Sequence, residues 1–316
     1  MFRIGIDLGG TNIAAGVVDD KTNEIIGRAN VKTNLPRPAE GIADSIAEVA
    51  RMAAVDAGVE FSEIASIGIG TPGAVNAEGV VEFSSNLGFD DTPLKMMVFE
   101  RTGKNVFIEN DANCAAIGEQ LAGCGDGVAN FIAVTLGTGV GGGIVIDNRL
   151  LTGVNGAAGE IGHIVIEQNG VACPCGRQGC FEQYASATAL IRQAKDALTV
   201  DREHESKMWE IIGDDVENVD GKVVFDAAHS EDTIALEVID KYLEYLACGV
   251  ANLINIFQPE ILCVGGGISK QGDYIINPLI EKVERERYTK HSKQQTKICA
   301  ATLGNDAGII GAALLK

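Results

Sequence analysis

The chain has no apolar run close to the roughly 18–20 residues that cross a bilayer as a helix. Its first residues, MFRIGIDLGG, enter a strand pattern without the apolar stretch and small-residue cleavage site of a secretory leader. These absences predict a cytoplasmic protein with no membrane partner. Basic residues are also scarce, 25 Lys and Arg against 44 Asp and Glu, for a net charge of −19. Such a surface repels a phosphate backbone, so nucleic acid is not an expected partner. A single nucleotide remains possible, because backbone N–H groups and Mg²⁺ can neutralise a few phosphates. No G-x-x-x-x-G-K-[ST] is present and no G-x-G-x-x-G follows the first strand, which removes the P-loop and the dinucleotide fingerprint. Eight cysteines in 316 residues are too few for a secreted disulfide scaffold. Histidine is limited to four residues, and His204, His229 and His291 lie in charged stretches expected at the surface.

What is present suits a soluble α/β protein of about two domains, given 316 residues and a hydrophobic fraction of 46%. Arg3–Asp7, Asn12–Asp19 and Glu24–Thr33 read as a three-strand antiparallel meander with a Gly-rich first turn. A helix follows from Pro38, then a continuous apolar strand at Ile64–Gly70. Asn86–Phe89 reads as a loop, Pro93–Arg101 as a short helix, Val106–Glu109 as a strand, and Ala112 to Leu121 as a helix. The pattern then restarts at Asn130–Leu136, Gly137-Thr138-Gly139 and Gly141–Asp147. Helices dominate later, with one expected at Tyr184–Leu198 and a long amphipathic one at Asp232–Phe257. Ile261–Val264 is a buried strand leading into Gly265–Gly267. Strand, Gly-rich turn and strand therefore occur twice, an internal repeat of architecture and not of residue identity. Two βββαβα halves would each offer a turn to one nucleotide.

Three groups of residues carry chemistry. Glycine turns at Asp7-Leu8-Gly9-Gly10-Thr11 and at Gly137–Gly139, with the glycines around Gly266, can present backbone N–H groups to phosphates. Asp7 could then hold Mg²⁺ through water. In Glu109-Asn110-Asp111-Ala112-Asn113, Asp111 stands where a strand ends and a helix begins. There it is either a helix cap or a general base for an attacking hydroxyl, with Asn110 orienting the substrate. The densest cluster is Cys173-Pro-Cys175-Gly-Arg-Gln-Gly-Cys180 with His163 ten residues upstream on a strand-like element. Three thiolates and an imidazole form a closed, structural zinc site. The other five cysteines sit singly among apolar residues and are expected to be reduced and buried.

These motifs, taken together, resemble the ROK family of repressors and sugar kinases, and within it the bacterial ATP-dependent glucokinases. The markers are GIDLGGTNIAAGVVD at Gly5–Asp19, IGIGTPGAV at Ile67–Val75, ENDANCAAIGE at Glu109–Glu119 and LGTGVGGGIV at Leu136–Val145. GAAGEIGHI at Gly156–Ile164, CPCGRQGCFEQYAS at Cys173–Ser186 and VGGGIS at Val264–Ser269 complete them. The resemblance implies an actin-like (ribonuclease H-like) ATPase fold of duplicated βββαβα halves that closes over its substrates. One domain would comprise residues 1–112 with 303–316, and the other 113–302. It further implies that Asp111 is the catalytic base, acting on a sugar 6-hydroxyl. Gly73, Asn86, Asn110, Glu160, His163 and Glu182 would bind the hexose, and Asp7, Gly9, Gly10, Thr11, Thr138, Gly139 and Gly266 would bind Mg-ATP. His163, Cys173, Cys175 and Cys180 would hold Zn²⁺, with the second nitrogen of His163 left for a sugar hydroxyl. Glucose is the leading substrate, ahead of N-acetylglucosamine, N-acetylmannosamine, mannose and fructose, and a homodimer is expected from the family. Phe89, where many relatives carry tryptophan, is expected to alter the pocket wall. A transcriptional regulator is the alternative from another class. Family repressors place a helix-turn-helix before the D-x-G-x-T segment, which here begins at residue 7 and is expected to leave no room for one.

Overall fold

In the computed structural model, which describes residues 1–316, the first β-branched stretch forms β1 (Phe2–Leu8), β2 (Asn12–Asp19) and β3 (Glu24–Lys32). They make the antiparallel meander expected, with Gly5 opposite Gly16 and Ala15 opposite Ala29. α1 (Ala39–Asp56) buries Ile42, Ile46, Val49 and Ala53, the positions set by helical periodicity. β4 (Ile64–Thr71) is buried along nearly its whole length and runs parallel to β1, as a continuous apolar run predicts.

Next comes a small antiparallel sheet of β5 (Ala74–Val75), β6 (Val81–Ser84) and β7 (Phe89–Thr92). It corrects the expectation of a loop through Phe89, which begins β7. Phe89 is buried in the core with Leu87, Val81 and Leu94, so it supports the hairpin from beneath and does not form a pocket wall. α2 (Leu94–Thr102) leads to β8 (Asn105–Asn110), parallel to β4, and α3 (Asp111–Ala122) follows. The first sheet has the order β3-β2-β1-β4-β8.

The architecture then repeats in β9 (Phe131–Leu136), β10 (Val140–Ile146) and β11 (Arg149–Leu150). The helix expected at Tyr184–Leu198 is broken into α4 (Glu182–Ala185) and α5 (Ala187–Val200). Ser186 interrupts it by taking extended backbone and accepting the Ala189 N–H at 3.0 Å, which makes it the N-cap of α5. α6 (Lys207–Ile212), α7 (Gly221–His229) and α8 (Thr233–Phe257) come next. β12 (Ile261–Gly266), α9 (Asp273–Glu286), β13 (Lys297–Ala300) and α10 (Asp306–Ala313) close the chain. The second sheet, β11-β10-β9-β12-β13, repeats the order of the first position by position. Cys263 and Cys299, expected to be isolated, are paired in register on β12 and β13.

The chain divides into two compact units. One is Met1–Ala133 with Gly142–Gly159 and Ala301–Lys316; the other is Val134–Gly141 with Glu160–Ala300. Residue 112, where a boundary was expected, lies within the first unit because α3 packs there against α10. That packing depends on glycine. A Cβ on Gly118 would stand 2.1 Å from the Ala307 carbonyl oxygen, and one on Gly68 of β4 would stand 1.7 Å from that of Ala312. No helix is long and apolar enough to cross a membrane.

Candidate active site

In the first unit, parallel registry brings several of the candidate residues to one end of the sheet. Asp7 of β1 pairs with Gly70 of β4, which pairs with Glu109 of β8, and Thr71 pairs with Asn110. The C-terminal ends of parallel strands are where open α/β sheets bind ligands. Beyond them stand the Gly9–Thr11 turn, Gly73 and the start of α3.

The turn is held from behind by a residue that motif reading missed. Thr33 is fully buried; its hydroxyl donates to the Gly9 carbonyl at 2.7 Å and its N–H to the Thr11 carbonyl at 3.0 Å. A polar residue at the end of an otherwise half-buried strand was the available signal. Asn86 lies exposed on a turn, its carbonyl oxygen 4.0 Å from where a Cβ of Gly10 would be. Gly73 has φ +107°, and a Cβ there would stand 2.2 Å from the Phe83 carbonyl oxygen. Only glycine fits.

The geometry separates the two readings of Asp111. The N-cap of α3 is Asn110, whose Oδ1 accepts from the N–H groups of Ala112 at 2.9 Å and Asn113 at 3.3 Å. Its Nδ2 donates to the Gly73 carbonyl at 3.3 Å. Asn110 thus fixes both the helix start and the Gly73 loop. Asp111 is the next residue, in the first turn, and accepts the Ala112 N–H at 2.8 Å. Its outer face is open to solvent, while protein surrounds the rest of the carboxylate, and this burial raises its pKa. Asp7 is raised too, first by burial and then by the charge of Asp111. Two carboxylates at a strand end, one of them raised by the charge of the other, suit a base beside a cation site.

The second unit holds the remaining candidates. Gly137 and Gly139 close the β9–β10 turn, with Gly137 donating to the Gly139 carbonyl at 3.0 Å. Glu182 packs directly on this turn, since a Cβ on Gly139 would lie 2.5 Å from its Oε2. A residue expected to bind the nucleotide and one expected to bind the sugar are thereby in contact. Thr138 lies exposed on the same turn. Gly266 has φ +92° at the end of β12, beneath the Leu136 backbone. Glu160 is exposed and caps a single 3₁₀ turn, Ile161–His163. His163 therefore comes from a turn and not from the strand-like element expected, because Gly162 packs against the Val140 carbonyl where an extended chain with a side chain would collide.

The ligand atoms of His163, Cys173, Cys175 and Cys180 all lie within 4.8 Å of one another. The Cys175 and Cys180 sulfurs are 3.6 Å apart, and the Cys173 sulfur is 3.7 Å from His163 Nδ1. A tetrahedral zinc with bonds of about 2.0–2.3 Å sets ligand atoms roughly 3.5–3.8 Å apart. The residues fit the ion. Nδ1 is the nitrogen turned into the cluster, which leaves Nε2 for another partner. The bridges Val165↔Cys180 and Ala172↔Gln178 hold the loop in shape, and Arg177 donates to the His163 carbonyl at 3.0 Å. Burial pushes Cys173 up to about 12, whereas the Arg177 backbone N–H lowers Cys175. A divalent cation would let all three exist as thiolates. Glu182 Oε1 accepts from Cys173 Sγ at 3.1 Å, so this carboxylate is in direct contact with the cluster.

The ROK family model matches residues 3–316. The chain belongs to the ROK family. It is 41% identical over 313 residues to the glucokinase of Thermotoga maritima, covering 98% of this chain and 95% of that one. It resembles the crystal structure of a ROK family glucokinase from Streptomyces griseus in complex with glucose and AMPPNP. That match has a TM-score of 0.82 and 38% identity, and covers 99% of this chain and 98% of the other. The ROK family also includes the xylose repressor of Caldicellulosiruptor bescii, 31% identical over 286 residues, of whose length this chain covers 70%. The neighbouring ROK structures share the actin-like, duplicated α/β fold seen here.

Proposed function

We propose that the chain is an ATP-dependent glucokinase that phosphorylates the glucose 6-hydroxyl with Asp111 as general base. The observation that carries this reading is the division of labour at the start of α3. Asn110 caps the helix, which leaves the Asp111 carboxylate free to accept a proton. As the 6-oxygen bonds to the terminal phosphorus of ATP, its proton passes to Asp111 and the phosphorus–oxygen bond to ADP breaks. Phosphoryl transfer needs mainly positioning, one base and charge neutralisation.

In this reading Asp7, Gly9, Gly10 and Thr11 hold one side of the Mg-ATP, and Thr138, Gly139 and Gly266 hold the other. Mg²⁺ supplies the positive charge that offsets the phosphates. Asn110, Glu160, His163 and Glu182 hydrogen-bond the sugar, with Gly73 and Asn86 beside it. His163, Cys173, Cys175 and Cys180 hold Zn²⁺, whose part is rigidity: four protein ligands leave no open position for substrate. Held by these four residues, zinc would keep His163 Nδ1 in the cluster with Nε2 free, and would brace the loop that leads into Glu182.

An ADP-release assay across glucose, mannose, fructose, N-acetylglucosamine and N-acetylmannosamine tests the assignment, and preference for glucose is the expected outcome. An N-acetylmannosamine kinase of Haemophilus influenzae is 32% identical over 314 residues, so preference for an N-acetylated hexosamine would move the assignment within the family. The acidic balance favours a cytoplasmic enzyme without nucleic-acid or membrane partners. A homodimer is proposed from the family resemblance and is checked by sedimentation.

A further inference from the structure

Asn113 is 2% exposed, and its Oδ1 is fully enclosed without a hydrogen-bond partner. A buried acceptor left unpaired costs about 1–3 kcal/mol, so something in the working cycle is expected to supply the missing donor. The other end of the same amide is fixed. Nδ2 donates to Glu109 Oε1 at 2.9 Å, and that oxygen also accepts the Asn110 N–H at 2.8 Å. A carboxylate taking two donors can only face the NH₂ end, so the orientation of the amide is determined by Glu109. Oδ1 therefore points away from Glu109, and Gly159 lies close to it. A Cβ on Gly159 would stand 3.9 Å from Asn113 Oδ1 and 3.4 Å from the Gly142 carbonyl oxygen. Gly159 has φ +88° and is followed directly by Glu160.

We infer that Asn113 is a positioning residue for sugar binding. Its Oδ1 accepts the Gly159 N–H when the sugar engages the next residue, Glu160, and the loop is locked in that state. This rests on the assignment of Glu160 to the sugar, and it deepens that assignment. Asn113 sits two residues after Asp111 on α3, so one helix would carry the base and also register the loop that leads to the sugar-binding carboxylate. Glu109, whose carboxyl burial raises, acts through Asn113 by fixing its amide.

The test is Asn113→Leu, close in volume and without an acceptor. Leucine removes the Nδ2 donor to Glu109 together with the Oδ1 acceptor, so the loss of the acceptor is read from what changes when glucose is added. The glucose KM is expected to rise about tenfold, the size of one buried hydrogen bond. The values of kcat and of the ATP KM should stay within about threefold. The Tm without glucose should fall with the lost bond to Glu109, and the rise in Tm produced by saturating glucose should shrink as well. A purely structural role predicts the lowered Tm with the glucose KM intact, and that result overturns the inference. An unchanged KM and an unchanged glucose-induced rise also overturn it, because a buried water would then satisfy Oδ1. If the leucine variant fails to fold, Glu109→Gln decides: its amide allows Asn113 to turn round, and the glucose KM should again rise with kcat little changed. A wild type that ignores glucose but phosphorylates another hexose refutes the substrate assignment alone; the same variants are then read with that hexose.

Discussion

Asp111→Asn separates the catalytic reading from every structural one, because the protein around it prescribes what should not change. Asparagine keeps an Oδ1 that can accept the Ala112 N–H, now at 2.8 Å. The cap of α3 belongs to Asn110 and is untouched. Stability should therefore not fall, and the sign of the pKa shift takes this further. Burial raises the folded-state carboxyl of Asp111 above its unfolded value, so the folded protein binds more protons and loses stability as pH rises through that window. A neutral amide removes this effect and also relieves Asp7, whose carboxyl the charge of Asp111 helps to raise. At neutral pH the Tm of the variant should equal or exceed that of the wild type. Turnover should fall by about 10²–10⁴, the usual worth of a general base, which is roughly 3–5 kcal/mol on the barrier. Coupled ADP release gives kcat, calorimetric titration gives glucose affinity, and a thermal melt gives Tm. The mechanism is refuted by turnover within tenfold of wild type. It is equally refuted if lost turnover comes with a matching loss of glucose affinity and Tm.

Further outcomes follow from other parts of the molecule. The acid limb of the wild-type kcat/KM profile should lie above the ordinary aspartate range of about 4, since the base must be ionised and burial raises it; a limb at or below that value contradicts the assignment. Elemental analysis should find about one zinc per chain, lost in Cys175→Ser together with sugar affinity; a metal-free preparation of full activity would rule out the zinc's role. In Gly68→Ala, the new Cβ at 1.7 Å from the Ala312 carbonyl would push α10 off the sheet. Overpacking should cost about 1–3 kcal/mol, against a gain of at most ~1 kcal/mol from the stiffer unfolded chain, and a thermal melt should show a Tm lower by several degrees.

The meander, the duplicated architecture and the long helices were legible in the sequence because each is written in local periodicity. Alternation marks strands, the 3.6-residue repeat marks α1 and α8, and glycine runs mark turns. The gathering of the cysteines was legible for a similar reason, since Cys173, Cys175 and Cys180 are close in the chain and the spacing itself brings them together. Where two local rules competed, the sequence left the outcome open. Phe89 had loop neighbours yet belongs to β7, since a hairpin as short as Val81–Thr92 gives too little pattern to separate strand from turn. The break at Ser186 was hidden because apolar spacing continues across it.

The sequence by itself determined the class of fold and named the candidate metal ligands and Asp111 as a candidate base, because residue type and short-range spacing suffice for these. Only tertiary structure decided that Asn110 and not Asp111 caps α3. Only tertiary structure placed Glu182 against Gly139, put Thr33 behind the first turn and left Asn113 Oδ1 buried and unpaired. Each depends on which groups from distant parts of the chain share a hydrogen bond or exclude a solvent molecule. That allocation is fixed by packing in three dimensions, and no local periodicity encodes it.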